Sequence, residues 1–234
     1  MRNRDFASKQ LNKIQNRIKL AAIEAKREPS DITLVGASKQ QTSIHVGDFY
    51  ESGLRDFGEN YVQEALTKKQ ELEDLNINWH FIGRIQSNKC RAIAENFNWV
   101  HSVDRLKIAK ALANASAARD QPLNILIQLN NDRESSKAGI TIAQAPKLCR
   151  EIAELNAVCL RGFMLIPKST TEMDHQRQPF SAAREAMESI NQRYGMNLDT
   201  LSMGMSNDLE AAILEGATMI RIGTDLFGAR KNPE

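Results

Sequence analysis

The chain has 234 residues, 41% of them hydrophobic, and sets 31 Lys+Arg against 29 Asp+Glu for a formal charge of +2. That length can bury a full core, and charges so balanced and dispersed leave no electrostatic footprint for nucleic acid. No apolar run approaches the roughly 20 residues of a membrane span, and the charged N-terminus lacks the apolar centre of a signal peptide.

The first element is helical: Leu11, Ile14, Ile18 and Ala21 recur at three and four residues until Pro29 ends the run. Short apolar runs then alternate with amphipathic stretches. "ITLVGAS" from Ile32, "RDFGE" near Arg55, "WHFIG" from Trp79 and "WVHSV" from Trp99 read as the first four strands. "NILIQLN" from Asn124, "LRGFMLIP" from Leu160, "TLSMG" from Thr200 and "MIRIG" from Met219 make eight. Helical patterns cover 61–75, 88–96, 105–118, 143–155, 180–194 and 208–216. Such alternation predicts right-handed βαβ units, and eight of them near the usual ~250 residues predict a (β/α)8 TIM barrel. An open doubly wound sheet is the alternative, but no GxGxxG follows the first strand. No linker divides the chain, so a single domain over residues 1–234 is expected. The polar stretch "KSTTEMDHQRQP", 168–179, reads either as a mobile loop at the barrel mouth or as a surface connection. Lys68-Lys69 and Arg230-Lys231 read as solvated surface.

Cys90, Cys149 and Cys159 form no CxxC pair, so buried, reduced thiols in a cytoplasmic protein are expected. His45, His80, His101 and His175 never fall at ligand spacing, and no metal site is predicted.

Barrel chemistry is built at the C-terminal ends of the strands. Lys39 ends the first strand beside Gly36, Ala37 and Ser38; alone, it would read as the first solvated residue past the strand. By alternation it shares a face with Ala37, Val35 and Thr33, while Arg221 in the last strand shares one with Met219 and Gly223. Closure of strand eight on strand one would bring the two cations into one mouth, where an anion would relieve their repulsion. "SMGMSND" offers Ser202, Gly204, Ser206 and a helix start near Asp208; "RIGTDLFG" offers Gly223, Thr224 and Gly228. Loops after strands seven and eight are where barrels commonly bind phosphate, and glycine lets backbone amides approach it. A lysine facing such a cradle points to a Schiff base with a phosphorylated aldehyde.

The segments "LVGASK", "FGENYVQE", "WHFIGRIQSNK", "QLNNDRESSKAGI", "LRGFMLIP" and "LSMGMSNDLEAAILEGATMIRIGTDLFGAR" resemble the pyridoxal phosphate homeostasis (proline synthetase co-transcribed) family. That family is similar to the barrel domain of alanine racemase without its β-rich domain. The resemblance spans nearly the whole chain. It implies pyridoxal 5′-phosphate (PLP) as cofactor, held by Lys39 as an internal aldimine. It places Arg221 at the pyridine nitrogen and Ser206, Gly223 and Thr224 at the phosphate. Asn60, His80, Met203 and Gly204 match further positions around the cofactor, and Lys137 in "SSKAGI" matches a family lysine without an assigned role. Where the family often has a Thr-x-Pro-like turn after its lysine, this chain reads "KQQT".

Three readings remain at this point: a carrier that buffers or delivers PLP without turnover, a PLP enzyme such as an amino-acid racemase, and a cofactor-free Schiff-base aldolase. The chain stops soon after strand eight, leaving no room for the domain that carries a racemase's second base. The carrier reading is therefore expected, with a monomer, apo PLP-dependent enzymes as recipients, and neither nucleic acid nor membrane as partner.

Overall fold

In the first helix, the Asn3 side chain accepts the Phe6 N–H at 3.2 Å, capping α1 (Arg4–Glu24). Its buried face is Ala7, Leu11, Ile14, Ile18, Ala21 and Ala22, the stripe expected from the spacing. Lys26 then turns at φ 56°, ahead of Pro29. The computed structural model describes residues 3–130 and 138–228. Lys137 and the Arg230-Lys231 pair lie outside the described residues.

The eight predicted strands all form. They are β1 (Thr33–Ala37), β2 (Asp56–Glu59), β3 (Asn78–Phe81), β4 (Trp99–Val103), β5 (Leu123–Leu129), β6 (Val158–Leu165), β7 (Thr200–Ser202) and β8 (Met219–Ile222). They pair in sequence order, all parallel, and the barrel closes with Val35 of β1 beside Arg221 of β8. Between them run α2 (Ser43–Glu51), α3 (Val62–Glu71), α4 (Cys90–Asn96), α5 (Leu106–Ala115), α6 (Ala145–Ala153), α7 (Met173–Tyr194), α8 (Leu209–Leu214) and α9 (Thr224–Phe227). The strand residues Phe57, Phe81, Val100, Ile125, Ile127 and Phe163 join Phe49, Ile93, Ile108, Leu112, Ile152 and Phe180 of the helices in one apolar cluster. That cluster between sheet and helices is the core.

Four expectations need correction. Helix α2 was not among the predicted helical stretches; Ser43, Ile44, Val46 and Gly47 are weak helix formers, and burial of Val46 and Phe49 overrides them. Helix α7 begins inside the polar stretch 168–179 and carries Pro179 within it. An interior proline costs about 3 kcal/mol, which burial of Phe180 and Ile190 at roughly 1.5–3 kcal/mol each offsets. Lys68 is buried rather than solvated, 4% exposed, against a fully buried Glu59. Cys90 and Cys149 are buried, but Cys159 is exposed near the start of β6.

Candidate functional site

The end of β1 is held from behind by a buried charge pair. Lys68 Nζ, from α3, donates to the Ser38 carbonyl, to Glu59 Oε1 and to Glu64 Oε1, each at 2.7 Å. The Ser38 hydroxyl donates to the same Glu59 oxygen at 2.6 Å. Burial pushes the Glu59 carboxyl up from its ordinary range, against the pull of Lys68 and Ser38. Two residues on, Gln40 adopts φ 62° and donates its N–H to Glu64. Lys39 is the residue between these two anchors.

Its side chain borders a cavity of about 290 Å³ at the C-terminal rim of the strands. Strand by strand, the lining comprises Ala37 and Lys39 after β1, Asn60 after β2 and Ile82 after β3. Ile166, Pro167 and Ser169 follow β6; Met205, Ser206, Asn207 and Asp208 follow β7; Arg221, Gly223 and Thr224 come from β8 and its end. Asn60 Oδ1 is buried without a hydrogen-bond partner among the described residues. Its backbone is pressed against Gly83, where a Cβ would stand 2.1 Å from the Asn60 carbonyl oxygen. Only glycine permits that approach.

Arg221 is 5% exposed and reaches the cavity from within the barrel. Its NH1 donates to the Ser202 carbonyl at 2.6 Å and the Ser202 hydroxyl at 2.7 Å; NH2 donates to the Leu165 carbonyl at 3.0 Å. Burial pulls its pKa down to about 10 against the charge of Asp208, so it stays protonated at neutral pH. Asp208, also largely buried, is pushed up by desolvation while the Met205 N–H, at 2.6 Å, and Arg221 oppose the shift.

The two glycine loops are tied together from outside. Arg17 of α1 donates to the Ser206 carbonyl and Asp225 Oδ2, both at 2.9 Å, and to Glu210 Oε1 at 2.7 Å. One side chain thus bridges the segments that follow β7 and β8. Gln176 of α7 adds a bond to the Asn207 carbonyl at 3.1 Å.

Of the residues predicted around the site, Lys39, Asn60, Ser206, Arg221, Gly223 and Thr224 line this cavity; Met203, Gly204 and His80 do not. Met203 is fully buried in the apolar cluster. Gly204, at φ 94°, turns the chain where a Cβ would sit 2.6 Å from that of Ala212, and its carbonyl accepts the Arg221 N–H. His80 is buried deeper, with Nε2 on Asp56 Oδ1 at 3.0 Å and Nδ1 on His101 Nε2 at 2.9 Å. Sequence reasoning did not assign Asp56 or His101 to the site, and it offered Ser202 to the loop after β7 rather than to Arg221, from which the Ser202 hydroxyl accepts at 2.7 Å. Their signal was parity: each is a polar residue sharing a strand face that closes on the barrel axis.

A larger trough of about 900 Å³, between the C-terminal ends of α6 and α7, includes Lys147, Arg150, Glu151 and Tyr194. It opens at the opposite end of the barrel, away from the strand ends where such folds place their chemistry.

The family model described as alanine racemase, N-terminal domain, matches residues 11–231. A pyridoxal phosphate homeostasis protein of Pseudomonas aeruginosa is 51% identical over 218 residues, 93% of either chain. Its namesake in Escherichia coli is 44% identical, over 94% of this chain and 95% of the other. The structure of PipY of Synechococcus elongatus with PLP bound superposes with a TM-score of 0.80 at 35% identity, covering 92% of this chain and all of that one. An alanine racemase of Clostridium difficile, 14% identical, shares the fold with a TM-score of 0.73; the match covers 98% of this chain and 58% of that one.

Proposed function

The chain belongs to the pyridoxal phosphate homeostasis family, and from that membership we propose that it binds PLP at the β1–β8 mouth and buffers or delivers it without turnover. The single observation that carries the reading is the donor set of the cavity. Two cationic side chains, Lys39 and Arg221, line it together with the hydroxyls of Ser206 and Thr224. Such a set suits a flat ring bearing a dianionic tail, and the partnerless Asn60 Oδ1 leaves one more polar contact to be made. The residues fit the cofactor.

When bound, PLP supplies an aldehyde that amines attack reversibly. Lys39, at the edge of the cavity, would be the attachment point for that aldehyde. Arg221 would face the ring nitrogen and, as a cation, disfavour its protonation, which would leave the ring a poor electron sink. Ser206 and Thr224 donate to the phosphate, with Gly223 letting the backbone approach it. Apo forms of PLP-dependent enzymes are the proposed recipients.

Borohydride reduction of the holoprotein, proteolysis and mass analysis test the attachment. The pyridoxyl mass is expected on the peptide containing Lys39, with the yellow colour lost on reduction. Its appearance mainly on Lys137 or another lysine would overturn the assignment.

A further inference from the structure

Beneath the cavity a file of polar side chains crosses the barrel interior, where such folds are usually filled by bulky branched residues. It runs from Arg221 to the Ser202 hydroxyl at 2.7 Å, then to His101 Nδ1 at 2.8 Å. From His101 Nε2 it continues to His80 Nδ1 at 2.9 Å, and from His80 Nε2 to Asp56 Oδ1 at 3.0 Å. His80, His101 and Ser202 are fully buried, whereas the Asp56 side chain, at the first residue of β2, keeps 19% of its surface. Trp99 lies parallel to His80, within 7°, at a centroid distance of 5.9 Å.

The two ends constrain the protons between them. A guanidinium only donates and a carboxylate only accepts. Asp56 accepts from His80 Nε2; with one proton on each ring, His80 Nδ1 accepts in turn from His101 Nε2. The Ser202 hydroxyl proton then goes to His101 Nδ1, while a Ser202 lone pair receives from Arg221. In that arrangement all four bonds point the same way, and the His101 ring is neutral. Burial, His80 and Arg221 all press His101 toward that neutral form, well below the ordinary imidazole range. A wholly apolar filling would serve stability as well as such a buried polar chain does.

We propose that Asp56, His80, His101 and Ser202 form a one-way hydrogen-bond relay that positions the Arg221 guanidinium at the cavity. Under the PLP reading above, on which this role at the ring nitrogen rests, they are positioning residues for the cofactor although none touches it. With Asp56 accepting, the Ser202 hydroxyl proton is committed to His101 and its lone pairs face Arg221. Without that acceptor the imidazoles are free to reverse. His101 would then donate from Nδ1 to Ser202, and the hydroxyl proton, displaced from His101, would compete with Arg221 NH1 for the space at that oxygen and loosen the guanidinium from its fixed plane.

Nitrogen-15 NMR of the apoprotein reads the tautomers directly. In the wild type, His80 and His101 are each expected as a single form protonated at Nε2, and the Arg221 guanidinium is expected to rotate slowly. Asp56→Ala should add a second His101 tautomer and speed that rotation. It should also weaken PLP binding about ten-fold, from a site at the far end of the barrel. Asp56→Asn keeps an acceptor and should restore all three, whereas Asp31→Asn, an exposed carboxylate at the same barrel end, should change none of them. Wild-type His101 protonated at Nδ1 would overturn the relay, even if no variant folds. So would an Asp56→Ala protein with unchanged tautomers and unchanged Arg221 rotation. If the apoprotein behaves as expected but PLP does not bind the wild type, the cofactor reading fails and the relay stands.

Discussion

Thr224 shows how a single side chain sets what the cavity accepts. Its residue opens α9 and, with Ser206, supplies the hydroxyl donors beside Arg221 and Lys39. If these donors hold a phosphate, each charge-assisted bond contributes roughly 1.5–3 kcal/mol. The anion then anchors the ligand while the bond to Lys39 exchanges. Thr224→Glu sets a carboxylate against that anion and should weaken PLP binding by about 10- to 100-fold. Pyridoxal, which has the aldehyde and no phosphate, should bind the wild-type protein as poorly as PLP binds the variant. Titration of apoprotein with each aldehyde, followed by absorbance, measures both. Equal affinity for pyridoxal and PLP would make the loops after β7 and β8 ordinary turns.

At the scale of elements, the site depends on segments that never touch the ligand. Arg17 lies on α1, outside the barrel, yet its guanidinium reaches Ser206, Glu210 and Asp225. Arg17→Met should therefore loosen the loops after β7 and β8 together. With a quarter of its side chain exposed, solvent screening reduces the cost to about 1–2 kcal/mol. Thermal unfolding would read that loss and PLP titration the weaker binding, against an Arg91→Met control at an exposed helix pair. Unchanged affinity in Arg17→Met would confine α1 to packing. The strands and the apolar stripe of α1 were legible in the sequence because period and composition agree there. Lys39, Ser206, Gly223 and Thr224 were legible because strand ends and glycine turns mark themselves. Helix α2 and the first turns of α7 were not, since tertiary burial of Val46, Phe49 and Gln176 outweighs poor local propensity. Lys68 was illegible for a different reason: nothing in "LTKKQ" reveals that its partner Glu59 waits at the end of β2. The file from Asp56 to Arg221 required barrel closure, which joins residues of β2, β3, β4, β7 and β8.

For the molecule as a whole, the decisive comparison is with racemases of the same fold. Racemisation removes a proton from one face of the substrate and returns it from the other, so acid–base groups must stand on both faces. Among the described residues lining this cavity the titratable side chains are Lys39, Asp208 and Arg221; no His, Tyr or Cys is among them. Arg221 remains protonated at neutral pH, and Asp208 is engaged by the Met205 N–H at 2.6 Å. On the PLP reading Lys39 serves one face, and among the described lining residues only Asp208 and Arg221 are left for the other. Arg221 at the ring nitrogen, as proposed above, would further weaken the electron sink that a carbanion needs. The holoprotein incubated with L-alanine in deuterated water is accordingly expected to leave the α-proton in place and to form no D-alanine above the level given by free PLP. Proton NMR follows the α-position, and chiral chromatography follows the isomer. Exchange without a D-isomer would mean that Lys39 abstracts and returns the proton on one face, consistent with a cavity that has a single base. Rapid exchange with accumulation of D-alanine would require a second base at this mouth and would replace the carrier reading with an enzymatic one.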